Sequence, residues 1–445
     1  MNPIQVGLLG IGTVGSGTFR VLQRNQEEIR RRAGRGIAIT MVADLDTERA
    51  RAIVGDAAQV VADARQVIAN PAIDIVIELI GGYGIARTLV LEALAAGKHV
   101  VTANKALLAV HGSEIFAAAR ARGVIVAFEA AVAGGIPIIK ALREGLTANR
   151  IEWVAGIING TTNFILSEMR SKGLDFGAVL KQAQALGYAE ADPTFDIEGV
   201  DAAHKATLMS AIAFGIPVQF DKAHVEGITG LQAADIRYAE QLGYRIKLLG
   251  ITKRRTGATA APGKPDGIEL RVHPTLIPST RLIANVEGAM NAVVVQGDAV
   301  GPTLYYGKGA GSEPTASAVI ADLVDITRMH SADPAHRVPV LAFQPGAMQD
   351  TPILSIDEVV TAYYLRLVVA DKAGVLARIT GILADNDISI DAVLQRESAE
   401  GEKQTDLIIL THDTVEGRMK AALAQMQALP TVLAPIVRIR KEELN

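Results

Sequence analysis

The tightest constraint on this chain lies at its start. Residues Ile4 to Leu9 read as a short buried strand that runs directly into Gly10-Ile11-Gly12-Thr13-Val14-Gly15 and then a helix expected to end near Arg32. A strand, G-x-G-x-x-G and helix in that order describe a nucleotide-binding turn: Gly10 for the tight turn, Gly12 for close backbone approach to a pyrophosphate, and Gly15 for helix–strand packing. The phosphates then sit at the helix N-terminus, where peptide N–H groups converge. Such a turn implies a doubly wound parallel sheet, which needs apolar strands and covering helices. The composition suits it, with 49% apolar residues and only 4% aromatics.

The following segments fit the same sheet. Ala38 to Ala43 reads as a second strand ending at Asp44, an acid placed for the adenosine ribose hydroxyls. Asp44 lies further from Gly15 than the usual spacing of about 20 residues, an offset that the long basic helix end accounts for. Arg49 and Arg51 follow and offer an alternative partner, a 2′-phosphate, so NAD and NADP both stay open. A third strand, Ile73 to Leu79, opens onto Gly81-Gly82. The strand His99 to Thr102 delivers Asn104-Lys105. Ligands in such sheets bind beyond the carboxyl ends of strands, so Lys105 belongs at the nicotinamide end. Val124 to Phe128 leads to Glu129 and a run of small residues, compatible with a cation held by backbone oxygens or with a crossover between domains. The sequence by itself favours the crossover.

The densest chemistry stands at Leu186 to Met209. Asp201 and Lys205 are four apart on a helix whose body is almost wholly apolar, while Glu190, Asp192 and Asp196 occupy the loop before it. Charges leading into a buried helix are costly unless they have partners or a role. Before that stretch, Gly160-Thr161-Thr162-Asn163 offers groups for a polar substrate or for capping a helix. The 253–266 segment reads as an exposed hairpin loop. Gly307 to Gly311 forms a second glycine-rich turn at a helix start, and Ser331 to Ser355, with Pro334, Pro339, Pro345 and Pro352, reads as a linker. The C-terminal segment has β-α-β-β-α-β order, the ferredoxin-like arrangement, with its last strand expected over Val432 to Ile439.

Several function classes are disfavoured. A net charge of −4 offers no basic field for nucleic acid. Zero cysteines remove thiolate chemistry, and eight scattered histidines lack the spacing of a zinc site. No apolar run is long enough for a membrane span and no basic flank precedes the N-terminal apolar stretch, so a cytoplasmic protein is expected.

With Gly10 to Gly15, Asn104-Lys105, Gly134-Gly135-Ile136-Pro137 and the 186–209 stretch in this order, the chain resembles the homoserine dehydrogenase family over essentially its whole length. The C-terminal module resembles an ACT domain. The resemblance implies an α/β Rossmann-type domain at 1–135, completed by about 305–335, and an α+β substrate and dimerisation domain at 136–304. A linker at 336–360 and an ACT regulatory domain at 361–445 follow. It implies NAD(P)H-dependent reduction of L-aspartate 4-semialdehyde to L-homoserine, reversibly, on the route to threonine, methionine and isoleucine. Lys205 is then the proton donor and acceptor, with Lys105 as a second lysine. Glu190 and Asp201 bind substrate and Asp196 shapes its site. Thr13, Val14, Ala43, Lys105, Gly187 and Gly309 line the nucleotide, and Glu129 with the carbonyls of Val132, Gly134 and Ile136 holds sodium. Threonine or a related amino acid is the expected effector and a homo-oligomer the expected assembly. The rival reading is a non-catalytic protein that senses nucleotide and amino acid.

Overall fold

The computed structural model describes residues 2–256, 266–395 and 403–444, so the tip of the expected hairpin loop, 257–265, lies outside the described residues. The chain divides into two compact units. The first comprises 1–158, 204–221 and 290–350, and the second comprises 159–203, 222–289 and 351–445.

The first unit is built on a six-stranded parallel sheet: β1 (Ile4–Leu9), β2 (Ile37–Ala43), β3 (Gln59–Val61), β4 (Ile75–Glu78), β5 (His99–Thr102) and β6 (Val126–Ala127). Their spatial order is β3-β2-β1-β4-β5-β6, the doubly wound arrangement with its switch point between β1 and β4. The expected third strand is therefore the fourth. The true β3 is three residues long at the sheet edge, too short to carry a periodic signal. The expected long first helix is two, Thr13–Arg24 and Gln26–Ala33, interrupted at Asn25. Ile4, Val6 and Leu8 of β1 pack with Phe19, Leu22, Ile75, Ile77 and Val319, which places a helix of distant sequence, Ser312–Met329, over the nucleotide sheet. Gly17 permits that approach, since a Cβ there would lie 2.4 Å from the Ser312 hydroxyl. An antiparallel set completes the unit, with Met290–Gly297 between Ile151–Ile157 and Gly301–Lys308.

In the second unit the strand Gly267–Pro278 lies between Tyr244–Arg255, its antiparallel partner, and the C-terminal strand Val437–Lys441, its parallel partner. The antiparallel Val360–Ala370, Gln404–Thr411 and Ile390–Gln395 follow in that spatial order. With helices Val375–Asp385 and Glu416–Gln427 they form the ferredoxin-like module. Alternate residues Tyr363, Leu365, Leu367 and Val369 face those helices and meet Ile379, Leu383, Met419 and Met426. The last strand begins at Val437 rather than Val432, because Val432 makes only an isolated bridge to Val369.

Candidate active site

At the nucleotide turn, Gly10 adopts φ +90°, and a Cβ there would lie 2.8 Å from the Leu79 carbonyl oxygen. A Cβ on Gly15 would lie 2.2 Å from the Gly10 carbonyl oxygen. Both positions therefore exclude side chains. The helix beginning with Thr13 and Val14 is preceded by Gly12, makes no side-chain cap bond and carries no acid in its first turn, which leaves its positive end to an anion. At the end of β2, after Ala43, Asp44 accepts the Ile11 N–H at 2.7 Å and the Asp46 N–H at 2.9 Å. Arg49 donates to the Ile11 carbonyl oxygen at 2.9 Å, whereas the exposed Arg51 donates to Thr47. Asp44 and Arg49 thus hold opposite ends of the same residue in the turn.

A buried carboxylate that the sequence did not single out organises the neighbouring loop. Glu78, at the end of β4, accepts the N–H groups of Ile80 and Gly81 and the hydroxyl of Thr102, at 2.8, 3.0 and 2.7 Å. Asn104 donates to the Gly82 carbonyl oxygen at 2.8 Å and caps the helix that opens with Lys105 by accepting the Leu107 N–H. The half-buried Lys105 is therefore fixed at its backbone by a chain running from β4 through β5.

Glu129 is almost wholly buried, and both its carboxylate oxygens accept amides, from Ile139 and Lys140 at 2.9 and 2.8 Å. Its own N–H donates to Asp322 at 2.8 Å. Burial first, and the Asp322 charge second, push Glu129 up to about 8. Burial likewise raises Asp322 to about 7. The intervening turn has Ala133 at φ +55° and Gly134 at φ +51°. Gly134 lies against Gly309, whose carbonyl oxygen a Cβ would approach to 2.4 Å. The Ile136 carbonyl accepts the Ile138 N–H. Among the described residues no group of three or more His, Cys, Asp or Glu side chains is arranged for a metal ion.

The helix Val200–Phe214 carries Asp201 and, one turn on, Lys205. Asp201 is buried, and Lys205 is half-buried and donates to the Ile158 carbonyl oxygen at 2.7 Å. In the second unit Asn159 joins two of the expected carboxylates, donating through Nδ2 to Asp196 at 2.7 Å and to Asp201 at 2.9 Å. Its Oδ1 accepts the Thr162 N–H, so Asn159, rather than Thr162 or Asn163, caps the helix Gly160–Lys172. Asn163 instead bonds the carbonyls of Val286 and Gly288 and accepts from the buried Lys247, which burial lowers to about 8. Glu190 is not part of the Asn159 cluster: its side chain is exposed, as is Gly187, which adopts φ +75°.

Family models match the chain in three places: homoserine dehydrogenase, NAD binding domain, over residues 10–129; homoserine dehydrogenase over 137–324; and ACT domain over 363–431. A homoserine dehydrogenase of Pseudomonas aeruginosa is 60% identical over 445 residues, covering 100% of both chains.

The chain belongs to the homoserine dehydrogenase family.

The crystal structure of a homoserine dehydrogenase from Thiobacillus denitrificans is similar, with a TM-score of 0.94 and 64% identity over 100% of this chain and 99% of that one. A hyperthermophilic archaeal homoserine dehydrogenase in complex with NADPH shares the fold at a TM-score of 0.61 and 24% identity, covering 73% of this chain and 98% of its own. The activity of the family is oxidoreduction at a CH–OH centre, the reversible NAD(P)-dependent interconversion of L-homoserine and L-aspartate 4-semialdehyde in amino-acid biosynthesis. No helix among the described residues is long and apolar enough to cross a membrane.

Proposed function

We propose that Lys205 is the proton donor and acceptor of the homoserine dehydrogenase reaction, assisted by Lys105, with Asp201, Asp196 and Glu190 binding the substrate. The observation that carries this reading is the Asn159 bridge. One neutral amide holds an oxygen of each of two carboxylates, which concentrates negative charge where a substrate ammonium can neutralise it. The bound nicotinamide supplies hydride to the aldehyde carbon. Lys205 gives a proton to the carbonyl oxygen as it becomes a hydroxyl and recovers it in the reverse direction. Its bond to the Ile158 carbonyl fixes the ammonium end of a long side chain before substrate arrives. Replacement of Lys205 by Ala is expected to lower kcat by about a hundredfold or more while nucleotide binding, read by fluorescence titration, is retained. A folded variant with normal turnover would remove Lys205 from the chemistry.

The nucleotide lies against Gly10, Gly12, Thr13, Val14, Gly15, Ala43, Asp44, Lys105, Gly187 and Gly309. The cofactor is NADP or NAD: Asp44 suits the ribose of NAD, and Arg49, held at the turn by Ile11, suits the 2′-phosphate of NADP. A sodium ion is held by the carbonyls of Val132, Gly134 and Ile136 near Glu129. The all-oxygen donor set and the buried acids Glu129 and Asp322 suit a hard cation. Because both Glu129 carboxylate oxygens already accept amides, that side chain fixes the turn that carries the carbonyls. The ACT module takes threonine or a related amino acid as effector. The chain forms a cytoplasmic homo-oligomer, favoured by Ile390–Gln395 standing at the sheet edge, where strands of two copies pair.

A further inference from the structure

We propose that Glu226 is a positioning residue for Asp196 and Asp201, and that Arg440 and Arg438 on the last strand of the ACT module set substrate affinity by holding it. The inference rests on the substrate-binding role assigned above to those two aspartates.

Glu226 follows the short strand His224–Val225, which pairs with Gly267–Pro278 through Arg271 and Val272. Its carboxylate is gripped from the neighbouring strand Val437–Lys441. Arg440 makes two parallel bonds to it, at 2.9 Å each, and Arg438 a third at 2.6 Å. Burial raises the pKa of Glu226, but the bonds from His224 and Arg440 and the two guanidinium charges outweigh it and hold the group well below the usual carboxylate range. Arg440, 1% exposed, also clamps Glu416, the first residue of an ACT helix, with 2.8 Å bonds from Nε and Nη2. Tyr363 donates to the same carboxylate at 2.7 Å. Two guanidinium groups therefore join an ACT helix and an ACT strand to Glu226.

The three residues after Glu226 rest on the segment that separates the two substrate aspartates. A Cβ at Gly227 would lie 2.4 Å from the Ile197 carbonyl oxygen. The Ile228 N–H donates to that same oxygen at 2.8 Å, and the Thr229 hydroxyl donates to Glu198 at 3.1 Å. Gly199 adopts φ +83°, and a Cβ there would lie 3.3 Å from the Glu226 carbonyl oxygen. Ile197 to Gly199 is thus bonded to and packed directly against the segment that Glu226 opens. Asp196 immediately precedes it, and Asp201 stands in the first turn of the helix that follows. Any shift of Val437–Lys441 that re-aims Arg440 reaches both aspartates through backbone contacts, which is how an effector that favours one arrangement of the module would change homoserine affinity.

The test uses the full-length enzyme and the Glu226→Gln variant, which keeps shape and removes charge. The KM for homoserine is expected to rise about two- to thirtyfold, the range for residues that couple sites without touching ligand. The KM for nucleotide stays at its wild-type value, kcat changes less than about twofold, and inhibition by added threonine weakens. Arg438→Met, which removes one guanidinium, moves the same quantities less far and decides the matter if Glu226→Gln does not fold. Arg366→Lys alters a buried pair between the ACT strand and Asp235 whose side chains bond Gln232 and Tyr364 rather than Glu226, Arg438 or Arg440, and is expected to leave the KM unchanged. A folded Glu226→Gln enzyme with a wild-type KM overturns the proposal, as does an equal rise in Arg366→Lys. Wild-type enzyme indifferent to threonine overturns its regulatory half. Asp201→Asn, measured in parallel, separates the two levels: an unchanged KM there sinks the substrate role itself, whereas a raised KM there beside an unchanged one in Glu226→Gln sinks only the positioning role.

Discussion

Asn159 carries more of the substrate half of the site than any residue chosen from the sequence, because one side chain caps a helix and joins two carboxylates. Asn159→Ala leaves Asp196 and Asp201 without their shared donor and the Thr162 N–H without its cap. The expected result is a KM for homoserine raised about tenfold and a loss of about 1 kcal/mol in stability by denaturant titration, with the nucleotide KM unmoved. Arg49 offers the matching test in the nucleotide half. Arg49→Ala is expected to lower kcat/KM with NADPH about tenfold or more while that with NADH changes little, the signature of a lost charged contact to a 2′-phosphate. Equal losses with both nucleotides would reduce Arg49 to its bond with the Ile11 carbonyl. The relation of Asp201 to Lys205 was legible because it lies within one helix turn, where spacing alone decides which side chains share a face. That of Asn159 to Asp196 and Asp201 was not, because it spans a loop and two helices, and Glu78 was hidden in an aliphatic run that reads as plain strand.

Among the elements, the parallel sheet was readable wherever a strand was long enough to show its apolar run, and β3 escaped at three residues. In Gly267–Pro278 the hidden feature was the burial of its polar face. Glu269, Arg271, His273 and Thr275 alternate along it and are all buried, a pattern that sequence assigns to a solvent face. Bonds along the strand itself, Arg271 to Glu269 and Thr275 to His273, with Arg255 and Glu442 from outside it, make such burial tolerable. Within the nucleotide sheet, His99 of β5 is buried and accepts the Ile125 N–H through Nδ1 at 2.9 Å, which requires the neutral ring. Burial first, then the positive charges of His330 and Arg337, lower it to about 4, with Asp74 opposing them. A depressed histidine adds stability that is complete above its unfolded value near 6.5 and is lost as pH falls through 4. The full difference is about 3 kcal/mol. The thermal midpoint is expected to decline between pH 7 and pH 4, and His99→Asn, which keeps an acceptor, to flatten that decline. An unaltered slope in the variant would assign the acid sensitivity elsewhere.

For the whole molecule, the question is whether the ACT module is an appendage or part of the fold that carries Asp196 and Asp201. Its order of elements was legible from periodicity and turn residues. Its attachment was not, since that depends on the five-residue strand Val437–Lys441 pairing with both Gly267–Pro278 and Val360–Ala370, and on side-chain pairs such as Arg366 with Asp235 and Tyr238 with Asp406. Arg271 bonds Glu442 as well as Glu269, and both Arg271 and Arg440 are 1% exposed. Removing residues 356–445 would strip Glu226 of Arg438 and Arg440, strip Arg271 of Glu442, and open the edge of Gly267–Pro278. Breaking one buried pair costs about 3–5 kcal/mol, so losing several exceeds the usual stability margin of a domain, about 5–15 kcal/mol. The truncated chain is therefore expected to aggregate or to melt far below the full-length enzyme in calorimetry and size-exclusion chromatography, rather than to behave as a desensitised but intact catalyst. A monodisperse truncation with full activity and an unchanged KM for homoserine would show that this strand is dispensable. It would also place the origin of substrate affinity entirely in the remaining chain.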